Sequence, residues 1–343
     1  MTSNRSSNFT LSWHRLVKLF GRNEIKATLG ELVTQQQNLL KRLDTIDKKL
    51  EQISSVSKGA QLLLSAHYRG LAEKNHALPF SEVEFRNYSQ FGEDGILHYL
   101  FSVIGTVNKR CIEMCAGIGS ECNSANLILN HGWQGLLIDG NRQHVEQGLA
   151  FFGSHPDSKV LPPRYLHRWI TRDNVNSLLE DANFSGEIDL LSIDMDGVDY
   201  WIWEAITAVD PRVVVVEFMA HFGDAPVTVP YRDDFAAQWV PLTHPAEKAA
   251  AAKNGSLPDN LSSFSQWTMY GGASLAAFNK LARRKGYRLV GANSVGNNAF
   301  FIRNGIAEAL FPEVPESACY NALFHHKILG TADCLNGLEV QSV

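Results

Sequence analysis

CIEMCAGIGSECNSANLILNHGWQGLLIDGN, residues 111–141, carries the pattern that decides the fold. Cys111–Cys115 reads as a strand, Gly117 and Gly119 fall in a turn, and a helix follows from about Asn123 to Asn130. GLLID (135–139) then reads as a second strand. Strand, glycine turn, helix and strand together form the repeating unit of an open, mostly parallel α/β sheet. Glycines in such a turn let the backbone approach a ligand closely. Asp139 ends the second strand, 22 residues after Gly117, a spacing at which an acid can accept hydrogen bonds from ribose hydroxyls. Asp139 also reads as a plain turn former, since Gly140 and Asn141 follow it.

The same alternation continues outward. A helix is expected over Glu93–Ile104, another over about Gln143–Phe152, and a third strand near Lys159–Leu161. Thr171 can cap a helix over 172–181. IDLLSID (188–194) and RVVVVEF (212–218) are near-continuous apolar runs, as strands buried on both faces require, with a helix between them near Tyr200–Ala208. Residues 219–270 contain Pro226, Pro230, Pro241, Pro245 and Pro258 and read as a long functional loop or lid. Ser274 starts a helix that ends at Gly286. YRLVGA (287–292) and AFFIR (299–303) form an antiparallel hairpin. The expected fold is a Rossmann-like α/β domain over 80–304, a seven-stranded mostly parallel sheet ending in that hairpin, followed by a C-terminal extension over 305–343. A seven-stranded sheet with one antiparallel strand is the layout of S-adenosylmethionine-dependent methyltransferases.

The N-terminal part differs in kind. LSWHRLVKLFGR (11–22) is a basic amphipathic segment within a flexible region 1–22, suited to a short packed helix or to peripheral contact with a membrane surface. Over 23–57, Ile25, Leu29, Leu32, Gln36, Leu39, Leu43, Ile46, Leu50 and Ile53 alternate four and three residues apart, the seam of a coiled coil. A homo-oligomer joined through this helix is the expectation.

Composition narrows the function classes. Residues 1–60 hold 10 Lys/Arg and 5 Asp/Glu, whereas the other 283 hold 21 and 31, giving net charges of +5 and −10. A strongly acidic main part excludes a basic nucleic-acid footprint. No apolar run reaches 18 residues, so no membrane-spanning helix is expected. The 5 cysteines lack C-x-x-C spacing, which points to a reducing cytoplasm and away from a disulfide framework.

Two constellations carry chemistry. The glycine turn reads acid-x-Cys-x-Gly-x-Gly from Glu113, not G-x-G-x-x-G. A carboxylate beside the loop suits an adenosyl-sulfonium cofactor, which has no phosphate, better than a dinucleotide. In SIDMDGVDYW (192–201), Asp194 and Asp196 sit at the carboxyl end of a strand, where such sheets bind ligands. Glu217 ends the next strand and can join them, either to hold Mg2+ or to take a proton. His221 follows and is a candidate general base, while Asp199 more simply starts a helix.

These pieces, with YSQFGEDGIL (88–97), PRVVVVEF (211–218) and YGGASLAAFNKLARRKGYRLVGANSVGNNAFFIR (270–303), resemble the FkbM-type methyltransferases over residues 88–303. The resemblance implies S-adenosylmethionine as cofactor and methyl transfer to a hydroxyl of a sugar or related acceptor. It implies Glu113, Gly117 and Gly119 as the cofactor loop, Asp139 as the ribose acid, and Ser89 and Gln90 beside the cofactor. Glu93 and Asp94 also read simply as first-turn helix acids. The candidate catalytic set is Asp194, Asp196 and His221, and the candidate metal ligands are Asp194 and Glu217. Met219 stands where the family pattern favours an asparagine, which leaves a metal-bound and a metal-free route both open. A non-catalytic oligomeric scaffold and an NAD-dependent oxidoreductase are the alternatives.

Overall fold

The computed structural model describes residues 27, 30–39, 42, 55–241, 267–320 and 338–343. The chain divides into two units, Met1–Ser55 and Val56–Val343. In the first, residues 30–39 are helical, and Leu32, Val33 and Leu39 are each more than half exposed. The remaining heptad positions and the 11–22 segment lie outside the described residues.

The second unit is built on one seven-stranded sheet. Its strands are β1 (Arg110–Met114), β2 (Gln134–Asp139), β3 (Arg164–His167), β4 (Gly186–Ile193), β5 (Val209–Glu217), β6 (Tyr287–Ala292) and β7 (Asn298–Arg303). Their order across the sheet is β3-β2-β1-β4-β5-β7-β6. Only β7 runs antiparallel, inserted between β5 and β6. The sheet part of the expected fold class is therefore observed: a Rossmann-like, mostly parallel seven-stranded sheet with one antiparallel strand. The helices are α1 (Lys58–Ala72), α2 (Glu93–Ile104), α3 (Ala125–His131), α4 (Arg142–Ser154), α5 (Val175–Asp181), α6 (Asp199–Ala205) and α7 (Leu275–Lys285).

The strand residues explain the two-sided burial. Val214 and Val216 enter the core on one face with Ile112, Leu191 and Phe301. Val213 and Val215 enter the core on the other with Cys111, Leu190 and Phe300. Successive side chains of a strand point to opposite faces, so an unbroken apolar run fits only a strand covered on both sides. Helix α7 starts and stops where its sequence directs. Ser274 Oγ accepts from Ala277 N at 3.0 Å, and Gly286 ends the helix at φ +85°.

Three expectations change. The third strand is 164–167, not 159–161; Val160 and Leu161 are 88% and 79% exposed, in a loop that runs into Pro162 and Pro163. Prolines lack the N–H a central ladder needs. Helix α1 escaped the reading because its buried face carries Gln61, at 0% exposure, as well as Tyr68. Gln61 Nε2 donates to Asn126 Oδ1 at 3.2 Å, and Gln61 Oε1 lies 2.7 Å from His131 Nε2. The compact unit thus begins at Val56, ahead of residue 80. The tail also returns to it: Gln341–Ser342 pairs with Val227–Thr228.

A chain beginning at Val56 should therefore fold, whereas one beginning at Phe80 should melt at a clearly lower temperature because it loses Gln61 and Tyr68. Circular dichroism melts of the two chains check this; equal melting temperatures would mean that α1 is dispensable. Acid should loosen the same seam. Burial, then nearby His98, lowers the His131 pKa to about 4. The unfolded chain binds that proton more readily, so this contribution to stability is present above about pH 6.5 and is lost as pH falls toward 4. The fall in melting temperature between about pH 6.5 and 4 should be smaller in His131→Gln than in the unmodified chain, and equal falls would remove His131 from this role.

Candidate active site

The sheet register brings the candidate residues to one edge. Met114 lies beside both Ile138 and Ile193, Ile193 lies beside Val216, and Glu217 faces Asn298. One residue further along, Cys115, Asp139, Asp194, Glu217 and Asn298 form a row across the carboxyl ends of the parallel strands. There the structure opens a cleft of about 850 Å³, lined by Gln90, Glu113, Gly117, Asp139, Trp169, Asp194, Asp196 and Asn298 among others. That volume suits a bound small molecule.

The first half of the cleft is a preorganised loop. Glu113 is 3% exposed and accepts from Asn123 N at 2.8 Å and Ser124 N at 2.7 Å. Those donors precede α3, so the carboxylate fastens the end of β1 to the helix start. Burial still raises its pKa against these hydrogen bonds. Asp139 accepts from Gly117 N at 2.9 Å and from Asn141 N at 2.7 Å, which joins the glycine loop to the end of β2. Gly119 has φ +80°, and a Cβ there would stand 2.6 Å from Phe152. Cys115 occupies a left-handed conformation, φ +61°, which glycine adopts far more easily. This is the position where the sequence pattern lacked its first glycine.

The SQFGED segment supports the loop from below. Gln90 is exposed and lines the cleft, whereas Ser89 is fully buried and its Oγ accepts from Asp94 N at 3.0 Å. Ser89 is thus a fastener rather than a cleft residue. Asp94 Oδ2 accepts from the backbone N–H groups of Asn87, Tyr88 and Ser89, yet burial pushes its carboxyl up to about 6. Glu93 Oε1 accepts from Asn293 Nδ2 at 2.7 Å and Asn298 Nδ2 at 2.9 Å. Both acids do more than complement a helix dipole, because each closes a buried loop.

The second half is lined by Asp194 and Asp196, with Glu217 close to them but outside the cleft lining. Asp194, Asp196 and Glu217 each place a carboxylate oxygen within 4.8 Å of the others. Glu217 Oε2 is buried without a hydrogen-bond partner. Burial first, then repulsion from Asp196 and Asp199, raises Asp194 to about 8. Burial, then Asp194 and Asp196, pushes Glu217 well above the usual carboxylate range. Three carboxylates this close must share protons or hold a cation. Asp199, the first residue of α6, accepts from Met195 N at 2.7 Å and Gly197 N at 2.9 Å and so shapes the turn that carries Asp196. The turn packs on bare backbone: a Cβ at Gly271 would lie 2.3 Å from Asp196 O, and Gly272 N donates to Gly197 O at 2.7 Å.

Two residues sit elsewhere than expected. His221 does not line the cleft. It is 2% exposed in the 3-10 turn Ala220–Phe222, its ring centroid 4.9 Å from that of Phe222, because the chain leaving β5 curls inward. A general-base role for His221 therefore loses its geometric support. Met219 is also a packing residue, 6% exposed, with its Cγ 2.9 Å from where a Cβ of Gly272 would be.

Sequence reasoning missed Trp169, Gly271 and Asn298. Trp169 is 55% exposed beside Gly140, and its Nε1 donates to Asp233 O at 2.6 Å. It helps hold a strap that lines the cleft, with Phe235 packed 3.2 Å from a Cβ of Gly197. The strap is the described part of the long 219–270 connection; residues 242–266 lie outside the described residues. The paired glycines of YGGAS and the paired asparagines at the start of β7, both poor strand formers, were the available signals.

No family model matches the chain, and no curated protein matches it. Solved structures show a distant likeness. A S-adenosylmethionine-dependent methyltransferase of Clostridium acetobutylicum is 10% identical, with TM-score 0.36, over 71% of this chain and 98% of that one. The magnesium protoporphyrin IX methyltransferase of Synechocystis, solved with S-adenosylmethionine bound, is 8% identical, with TM-score 0.32, over 73% and 99%. PKMT2 of Rickettsia typhi, solved with S-adenosylhomocysteine, is 11% identical, with TM-score 0.39, over 64% of this chain and 54% of that one. All three TM-scores lie below 0.5, so the functional reading rests on the strand order and the cleft.

Proposed function

We propose that the chain is a S-adenosylmethionine-dependent O-methyltransferase of the FkbM type, acting on a hydroxyl of a sugar or glycosylated acceptor. The observation that carries this reading is the single cleft that joins the Asp139–Gly117 loop to the acidic trio across the carboxyl edge of the sheet. Asp139 and Asp194 end strands separated by β1 alone, about 10 Å apart at the usual strand spacing. That span suits an adenosine held at one end and a reacting sulfonium near the other. The cofactor supplies an already activated methyl group, so the protein's task is alignment and proton removal.

Each residue has a defined part in that task. Gly117 leaves open space where a side chain would block the ligand, and Asp139 offers a carboxylate to the ribose hydroxyls. Gln90 and Trp169 flank the ligand from the walls. Asp194 and Asp196 face the acceptor and take its proton. The strap through Phe235 limits water. Asp194, Asp196 and Glu217 are hard oxygen donors that fit a divalent cation such as Mg2+, with the unpartnered Glu217 Oε2 as the fitting observation. When bound, the cation would lower the pKa of the acceptor hydroxyl.

The test is transfer of labelled methyl from S-adenosylmethionine to a panel of sugars and glycosides, with and without EDTA. Product on a hydroxyl supports the reading; binding of S-adenosylmethionine without any transfer would select the scaffold alternative. A pH dependence also follows. Because Asp194 titrates near 8, transfer without a divalent cation should rise with pH up to about 8, the cluster acting as one titrating unit. A pH profile that is already flat at 6 would take Asp194 out of the proton-accepting role. Assembly through residues 23–57 and contact of residues 11–22 with a membrane surface complete the proposal; light scattering of the full chain against a chain from Val56 tests the first.

A further inference from the structure

We propose that Asn298 Oδ1 is the neutral oxygen ligand that completes a divalent-cation site with Asp194, Asp196 and Glu217. The idea rests on the methyl-transfer reading for what the cation does, but not for whether the cation binds.

Three observations lead there. First, Asn298 faces Glu217 across the antiparallel β5–β7 ladder. Directly opposed residues send their side chains to the same face, with Cβ atoms about 4.5–5.5 Å apart. Asn298 also lines the same cleft as Asp194 and Asp196. Second, its amide has only one orientation. Nδ2 donates to Glu93 Oε1 at 2.9 Å, and a carboxylate can only accept, so Oδ1 must point the other way. Third, that Oδ1 is buried without a hydrogen-bond partner in a residue only 4% exposed. A buried amide oxygen left unpaired is destabilising, which a ligand at this position would offset. Glu217 Oε2 is orphaned in the same way. Two unpaired oxygens on facing residues, beside two further carboxylates, make a donor set of three charged oxygens and one neutral one. Amide carbonyls are ordinary ligands of hard divalent cations, and water or the acceptor hydroxyl would fill the remaining positions.

The assignment also accounts for Met219. The thioether packs beneath Gly272, and the oxygen it cannot offer comes instead from the next strand of the sheet. Glu93 becomes a positioning residue, since it orients Asn298 from the SQFGED segment.

The full chain would be titrated with Mn2+, and the free-ion electron paramagnetic resonance signal followed. One Mn2+ per chain is expected for the unmodified protein and none for Asp194→Asn. Asn298→Ala and the bulkier Asn298→Leu should each weaken binding about tenfold or more, with folding checked by circular dichroism. In the unmodified chain, substoichiometric Mn2+ should also broaden the Asn298 side-chain amide resonance, a readout that needs no variant. Absence of a Mn2+ site in the unmodified chain would overturn the proposal. So would an Asn298 resonance that stays sharp, or folded Asn298 variants that bind within twofold of the unmodified chain. Calorimetry with S-adenosylhomocysteine on the same samples separates the two ideas: Mn2+ binding without it leaves the cation site standing and removes the methyl-transfer reading.

Discussion

Asp194→Asn should lower methyl transfer by about 10²-fold or more, the scale at which a positioned proton acceptor acts, while S-adenosylhomocysteine still binds within about twofold. The reason is placement. Asp194 belongs to the acidic trio, whereas the end of the cleft proposed to hold adenosine is fixed by Asp139, Gly117 and Asn141 at the neighbouring strands. Asparagine mimics the protonated carboxyl and needs no proton uptake on folding, so the folded protein should be no less stable, and at neutral pH more so. Native Asp194 holds a proton that the unfolded chain releases, and its contribution to stability therefore declines as pH rises from about 4 to 8. Thermal melts at pH 5 and pH 8 should show that decline in the unmodified chain and a smaller one in Asp194→Asn. A variant that keeps full activity would remove the acidic trio from the reaction.

Gly271→Ala should be more damaging than its size implies. The added methyl would lie 2.3 Å from Asp196 O, against backbone that cannot rotate away. Asp196 is itself in a left-handed conformation, φ +53°, held by the Asp199 carboxylate through Gly197 N, so the turn has little freedom to yield. Overpacking of this kind costs about 1–3 kcal/mol, and any relief moves Asp196 away from Asp194. The expected result is a lower melting temperature together with loss of transfer, with S-adenosylhomocysteine affinity little changed. Gly59→Ala, on α1 with no atom within 4 Å of the added methyl, should change neither. Unimpaired transfer in Gly271→Ala would show that the turn adapts and that its geometry is not limiting.

Much of this was legible in the residues because the signals were local. The β4 and β5 runs announce themselves by unbroken apolar character, and the Glu93–Ile104 and Ser274–Gly286 helices by their end residues. The loop residues at one end of the cleft were readable since Glu113, Gly117 and Asp139 lie within one strand–turn–helix–strand unit. What escaped depends on register or on distant packing. Asn298 reaches the cleft only because β7 inserts between β5 and β6 and places it opposite Glu217. Gly271 gains meaning only from the Asp196 backbone it touches. His221 follows an acid-ended strand, as a base in the cleft would, but the 3-10 turn at Ala220–Phe222 rotates it into the interior. Helix α1 hides behind a buried glutamine whose partners lie on α3, 65 residues away in the chain.

Isothermal calorimetry with S-adenosylhomocysteine tests the central claim most directly. The unmodified chain should bind one molecule per chain, and Asp139→Ala, folded by circular dichroism, should bind at least tenfold more weakly, because ribose hydroxyls lose a charged acceptor worth about 1.5–3 kcal/mol. No heat of binding in the unmodified chain, or equal affinity in Asp139→Ala, would contradict the assignment of this cleft to an adenosyl cofactor.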